Sequence, residues 1–188
     1  MKKLLTLSLL SFLLFFGCNQ ESEITSPVDN SPNSQLKLIS LPTPSGGLNI
    51  ETDYTAYKSI NGSAGGSFWA SYSYKGGPNN VVYMNSGLNF PANSFSGTKT
   101  ISQTFSSTGA AMVFGPPMQF NTTVYYSLKI GGLDLSGVNP ATLDFVYIDA
   151  NGNMHPCEYS SIAIDIANGV LAVYNAEMNH FSRYGFVN

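Results

Sequence analysis

Between Phe68 and Tyr74 every second residue is apolar: Phe68, Ala70, Tyr72 and Tyr74 alternate with Trp69, Ser71 and Ser73. The same period of two recurs where Val124, Tyr126, Leu128 and Ile130 alternate with Tyr125, Ser127 and Lys129. Successive side chains of a strand point to opposite faces, so each run reads as a strand with one buried face and one wet face. No segment of useful length carries the helical period. A chain made of such strands must stack the apolar face of one sheet on that of another.

The punctuation between the runs supports this reading. Asn151-Gly152 and Asn168-Gly169 supply residues that tolerate positive φ, as tight hairpin turns require. They predict hairpins joining 143–148 to 154–159 and 163–166 to 171–174, with further strands at 81–84, 100–105, 111–114 and 181–187. Roughly eight to ten strands in one domain-sized segment make an antiparallel sandwich. The expected fold is therefore all-β, an antiparallel β-sandwich over residues 48–188.

What precedes that domain is of a different kind. Met1, Lys2 and Lys3 lead into an apolar run from Leu4 to Phe16, the order of charge and hydrophobicity found in export signals. The run is much shorter than the roughly twenty residues a membrane-spanning helix needs. Gly17 and Cys18 close it, and Phe15 to Cys18 resembles a lipobox, although Phe15 and Phe16 stand where Leu-Ala or Leu-Ser is commoner. The resemblance implies a signal peptide at 1–17 and acylation, palmitate included, at Cys18. Two or three acyl chains anchor a protein stably to a lipid bilayer without any spanning segment. Asn19 is not the Asp that retains many lipoproteins in the inner membrane, and Glu21 and Glu23 look like the acidic export signal of some Bacteroidetes lipoproteins. The expected location is the outer membrane, facing the periplasm or the cell surface. Residues 18–47, rich in Ser, Pro, Asn and Thr, read as a flexible tether.

Charge narrows the choice of partner. Without Lys2 and Lys3, six of the eight Lys and Arg residues face eleven Asp and Glu, a net charge near −5. The six are scattered, so the basic stripe of a nucleic-acid binder is missing and no nucleic-acid partner is expected. If Cys18 carries lipid, Cys157 has no partner for a disulfide.

Three pieces then fall in order: Leu88-Asn89-Phe90-Pro91-Ala92, Phe114-Gly115-Pro116-Pro117-Met118-Gln119-Phe120-Asn121, and His180-Phe181-Ser182-Arg183-Tyr184. Together they resemble the ZU-five domain, a β-sandwich shared by zonula occludens proteins, netrin receptors and ankyrins. Thr122-Thr123 departs from the Lys-Pro pair that often follows Phe-Asn in that family. In self-cleaving proteins with a His-Phe-Ser site the bond before the serine is cut. Carried over, the resemblance makes His180 the general base, Phe181 the residue whose carbonyl is attacked, and Ser182 the nucleophile of an N-to-O acyl shift. Residues i and i+2 of a flat strand have Cα atoms about 6.5–7 Å apart, so cleavage requires a kink at Phe181-Ser182. The alternative is a plain last strand with Phe181 and Tyr184 in the core.

Other constellations are weaker. Asp149, Asn151 and Asn153 alternate like the start of a calcium loop, but Met154 and Ser160 occupy the positions of its glycine and glutamate; no metal is expected. Trp69, Tyr125, Tyr83 and Tyr72 offer flat faces for stacking on sugar rings, with Trp69 foremost because serines share its face. No phosphate loop, paired-His motif or Gly-x-Ser-x-Gly elbow is present, so neither a cofactor nor catalysis on an external substrate is expected. Three readings follow: an interaction module with an unknown protein or glycan partner, a self-processing domain, and a carbohydrate-binding module.

Overall fold

A computed structural model describes residues 36–45, 54–107 and 109–188. The signal peptide, Cys18 and the first part of the expected tether lie outside the described residues.

Two antiparallel sheets pack face to face, and no helix occurs among the described residues. The first sheet has the order β1 (Tyr54–Asn61), β4 (Thr98–Phe105), β5 (Ala111–Gly115), β11 (Arg183–Val187), β7 (Asp144–Ile148) and β8 (Met154–Pro156). The second runs β2 (Gly66–Lys75), β3 (Val81–Phe90), β6 (Gln119–Gly131), β10 (Val170–His180) and β9 (Ser161–Asp165). The alternating runs set the inner faces: Val82, Met84, Leu88 and Phe90 from β3, and Val124, Tyr126, Leu128 and Ile130 from β6, are all buried. From the opposite sheet come Ile101, Phe105, Met112, Phe114, Phe145, Tyr184 and Phe186. Removing this apolar area from water is the main favourable contribution to folding.

One polar bridge crosses the core. Gln103 of β4 is fully buried; its amide donates to the Phe68 carbonyl at 3.0 Å and its Oε1 accepts from Ser86 Oγ at 2.5 Å. Each of these groups finds a partner, as buried polar atoms must.

β10 changes phase along its length. Leu171 and Val173 point inward, then Ala176 and Met178 do, because a bulge at Tyr174-Asn175 inserts one residue opposite β6. Asn175 takes a φ of 51°, which asparagine tolerates, and its amide donates to Ser127 Oγ at 3.1 Å.

Several expectations need correction. The segment 36–45, assigned to the flexible tether, is laid across the sandwich: Leu38 bridges to Val187, Pro44 bridges to Gly76, and Ile39 and Leu41 are buried. Lys37 and Asn188 exchange backbone hydrogen bonds at 3.1 and 3.0 Å, and Tyr74 donates its hydroxyl to the Pro42 carbonyl at 2.7 Å. Proline is no obstacle, since the segment pairs only at isolated points. Leu38 and Met154 cover Val146, Ile148 and Val187 on the outer side of the six-stranded sheet. The expected strand 181–187 begins only at Arg183, since Phe181 and Ser182 form a corner at which the chain leaves one sheet for the other. β8 ends at Pro156, which cannot donate to a ladder, short of the expected 159. β1, absent from the expectation, forms because it pairs along its whole length with β4.

Candidate functional site

Two places bring together the residues singled out by sequence. The first is the corner at His180-Phe181-Ser182. Phe181 is buried against Phe114, Phe120 and Phe90, with centroid distances of 5.5, 4.8 and 6.2 Å. Its amide donates to the Met118 carbonyl at 2.9 Å, and the Ser182 carbonyl accepts from the Phe114 amide at 2.9 Å. The three motif pieces are thus one knot of aromatic rings and backbone hydrogen bonds, and this contact accounts physically for their occurring together.

The polar groups of the corner do not form a catalytic relay as they stand. Ser182 Oγ donates to the Ile148 carbonyl at 3.2 Å, so its proton points away from His180. The His180 ring stands edge to face with Tyr147 at 4.5 Å and makes no hydrogen bond to a described residue, while its carbonyl accepts from the Tyr184 hydroxyl at 3.0 Å. The kink that cleavage would need is present, but His180 and Ser182 are not hydrogen-bonded to each other.

Beside this corner lies a hollow of about 200 Å³ whose lining includes Cys157, Glu158, Glu177, His180 and Tyr184. Burial, above all, pushes the Cys157 thiol up to about 12, and its Sγ–H donates to the Glu177 carbonyl at 3.4 Å. A protonated thiol is a poor nucleophile. The loop at Asp149 is likewise occupied by its own turn. Its carboxylate accepts the Asn151 and Asn153 amides at 2.8 and 2.9 Å, the Asn153 side chain at 2.9 Å and His155 Nε2 at 3.1 Å. These bonds, led by the Asn153 side chain and then His155, hold its pKa far below the usual carboxylate range.

The second place is the outer face of the five-stranded sheet. Trp69 is 70% exposed there, and Tyr125 and Tyr174 are also exposed. Pairing fixes the layout: Trp69 lies opposite Gly87, which lies opposite Ser127; Tyr83 lies opposite Gly131. Between these rows runs Ser71, Asn85 and Lys129, with Ser71 Oγ donating to Asn85 Oδ1 at 2.8 Å. A Cβ on Gly87 would overlap the six-membered ring of Trp69, and one on Gly131 would overlap the ring of Tyr83. Each aromatic ring therefore rests on bare backbone of the neighbouring strand; Trp69 is otherwise largely exposed and Tyr83 is half-buried. Ser71, Ser73, Tyr83 and Asn85 border a shallow hollow in this face.

Of the four aromatics singled out, three share this face and Tyr72 does not. Tyr72 points inward, its ring stacked on Tyr54 at 4.7 Å, as its alternation with Trp69 demands. Tyr174 and Asn85 were not singled out in the sequence, although Tyr174 reaches the face by simple alternation with the buried Leu171 and Val173.

The chain matches no protein-family model, no curated protein and no solved structure.

Proposed function

We propose that this chain is a lipid-anchored binding module of the outer membrane that engages its partner through the outer face of the five-stranded sheet. The observation that carries the reading is the seating of Trp69 on Gly87 and of Tyr83 on Gly131. A large ring left 70% exposed forgoes its burial energy, about 1.5–3 kcal/mol for a big apolar side chain. Glycines beneath this ring and the half-buried ring of Tyr83 let both lie directly against the neighbouring backbone. The anchor rests on the lipobox-like Phe15 to Cys18, and the ZU-five resemblance is retained as the proposed family.

Two measurements test it. The full chain, expressed in a Gram-negative host with labelled palmitate, incorporates label that Cys18→Ser abolishes. Full-length protein in a sugar-free detergent co-sediments with cell-envelope and extracellular fractions of the source bacterium. Trp69→Ser with Tyr83→Ser releases it, while Tyr57→Ser, a 69% exposed tyrosine of β1, does not. Equal sedimentation of wild type and both variants overturns the reading.

A second reading, self-cleavage between Phe181 and Ser182, is favoured by one observation: that peptide bond sits in a corner between β10 and β11, outside either strand and directly after His180. Ser182 Oγ would attack the Phe181 carbonyl, the amide nitrogen would leave as the free amine of Ser182, and water would hydrolyse the ester. β11 is paired on both sides, with β5 and β7, so a severed 182–188 peptide stays in the sheet. Mass spectrometry under denaturing conditions therefore decides it: loss of the heptapeptide from wild type but not from Ser182→Ala supports cleavage, and an intact wild type ends the reading.

A further inference from the structure

The occupant of the outer face follows from its chemistry. Gly87 and Tyr83 are four residues apart on β3, so the two seated rings mark positions about 13 Å apart along the strands. The row between them presents the hydroxyl of Ser71, the amide of Asn85 and the ammonium of Lys129, with the Ser127 hydroxyl beside it. Flat apolar faces thus alternate with hydrogen-bonding groups on a surface with no deep pocket.

A protein partner fits this pattern poorly. Protein interfaces centre on a packed, desolvated apolar core into which anchor side chains insert. Here the rings lie against backbone, and serine and asparagine separate them. A sugar chain fits it well: pyranose units present flat C–H faces to aromatic rings and hydroxyls to amides and hydroxyls. Charge selects among sugars. Lys129 is the single charged side chain in the row between the rings, and the exported chain carries a net charge near −5, which repels a polyanion.

We propose that the outer face of β2, β3 and β6 binds a neutral polysaccharide, whose sugar rings stack on Trp69 and Tyr83 while the units between them hydrogen-bond Ser71, Asn85 and Lys129. This rests on the binding-module reading and names its ligand. The supporting role of the glycines is part of it. Neither Gly87 nor Gly131 has a positive φ, so alanine there leaves the backbone unstrained and only lifts the ring above it.

Trp69 is the sole tryptophan of the chain, so its emission reports on this face alone. Full-length protein in a sugar-free detergent is titrated with soluble β-glucan, xylan, mannan and α-glucan, and with polygalacturonate as the polyanion. The expected result is a saturable blue shift with at least one neutral polysaccharide. Gly87→Ala and Tyr83→Ala should each weaken it at least tenfold, with unchanged circular dichroism, and Tyr57→Ala should leave it unchanged. No shift with any neutral polysaccharide, a shift with polygalacturonate alone, or a shift indifferent to Gly87→Ala and Tyr83→Ala overturns the proposal. If the polysaccharides fail while Trp69→Ser with Tyr83→Ser still releases the protein from envelope fractions, the glycan falls and the binding face stands. If both fail, the binding face falls as well.

Discussion

The ring of Phe181 stands edge-on to that of Phe120, with centroids 4.8 Å apart. Around this pair, Phe90 and Phe114 complete a cluster to which each of the three motif segments contributes. The corner between the sheets is thus held by packing, whatever else it does. Phe181→Ala should cost about 3–5 kcal/mol, in line with other buried aromatic truncations. Ser182→Ala, which loses one half-buried hydrogen bond, should cost about 1 kcal/mol. Urea unfolding of both variants checks the difference; similar costs would place the weight of the corner on the serine.

Gln103 and Ser86 tie the two sheets through the core, and the pair should be strongly coupled. Ser86→Ala leaves the Gln103 Oε1 buried without its donor and should cost about 1–3 kcal/mol. In a double-mutant cycle with Gln103→Leu, the second substitution should cost less in the Ser86→Ala background than in wild type. Additive costs would mean that the bond contributes nothing to stability.

Leu38 couples the chain ahead of the sandwich to its last strand. Its side chain packs on Val146, Ile148 and Val187, so Leu38→Ser should lower unfolding stability by about 1–2 kcal/mol and expose this patch. Hydrogen exchange should quicken at Asn188 and Lys37, whose amides bond each other's carbonyls. A variant as stable as wild type would make the segment a passive tether after all.

Asp149 gives the β7–β8 turn an acid-sensitive support. Its folded-state pKa is lowered, first by the Asn153 side chain and then by His155. The carboxylate's contribution is therefore complete above its ordinary pKa of about 3.9 and is lost as pH falls below that toward the folded value. Exchange or chemical-shift titration of the Asn151 and Asn153 amides should show a carboxylate transition only below about pH 4. Asp149→Ala should abolish that transition.

The period of two in β2 and β6 was enough, by itself, to determine the all-β class, the inward faces and the outward position of Trp69, because alternation is a local consequence of strand geometry. The Asn-Gly turns placed two hairpins for the same reason. Local pattern does not carry partners distant in the chain. The burial of Ile39 and Leu41 depends on a groove made by residues far along the chain, and the phase change in β10 depends on where β6 leaves room for a bulge. His180, Phe181 and Ser182 were legible as a motif, yet only the sandwich decides that Phe181 fills an aromatic cluster and that the Ser182 hydroxyl turns to Ile148. Likewise a tryptophan beside serines signals an exposed ring, but the glycine beneath it belongs to another strand, and only cross-strand register puts Gly87 under Trp69 and Gly131 under Tyr83.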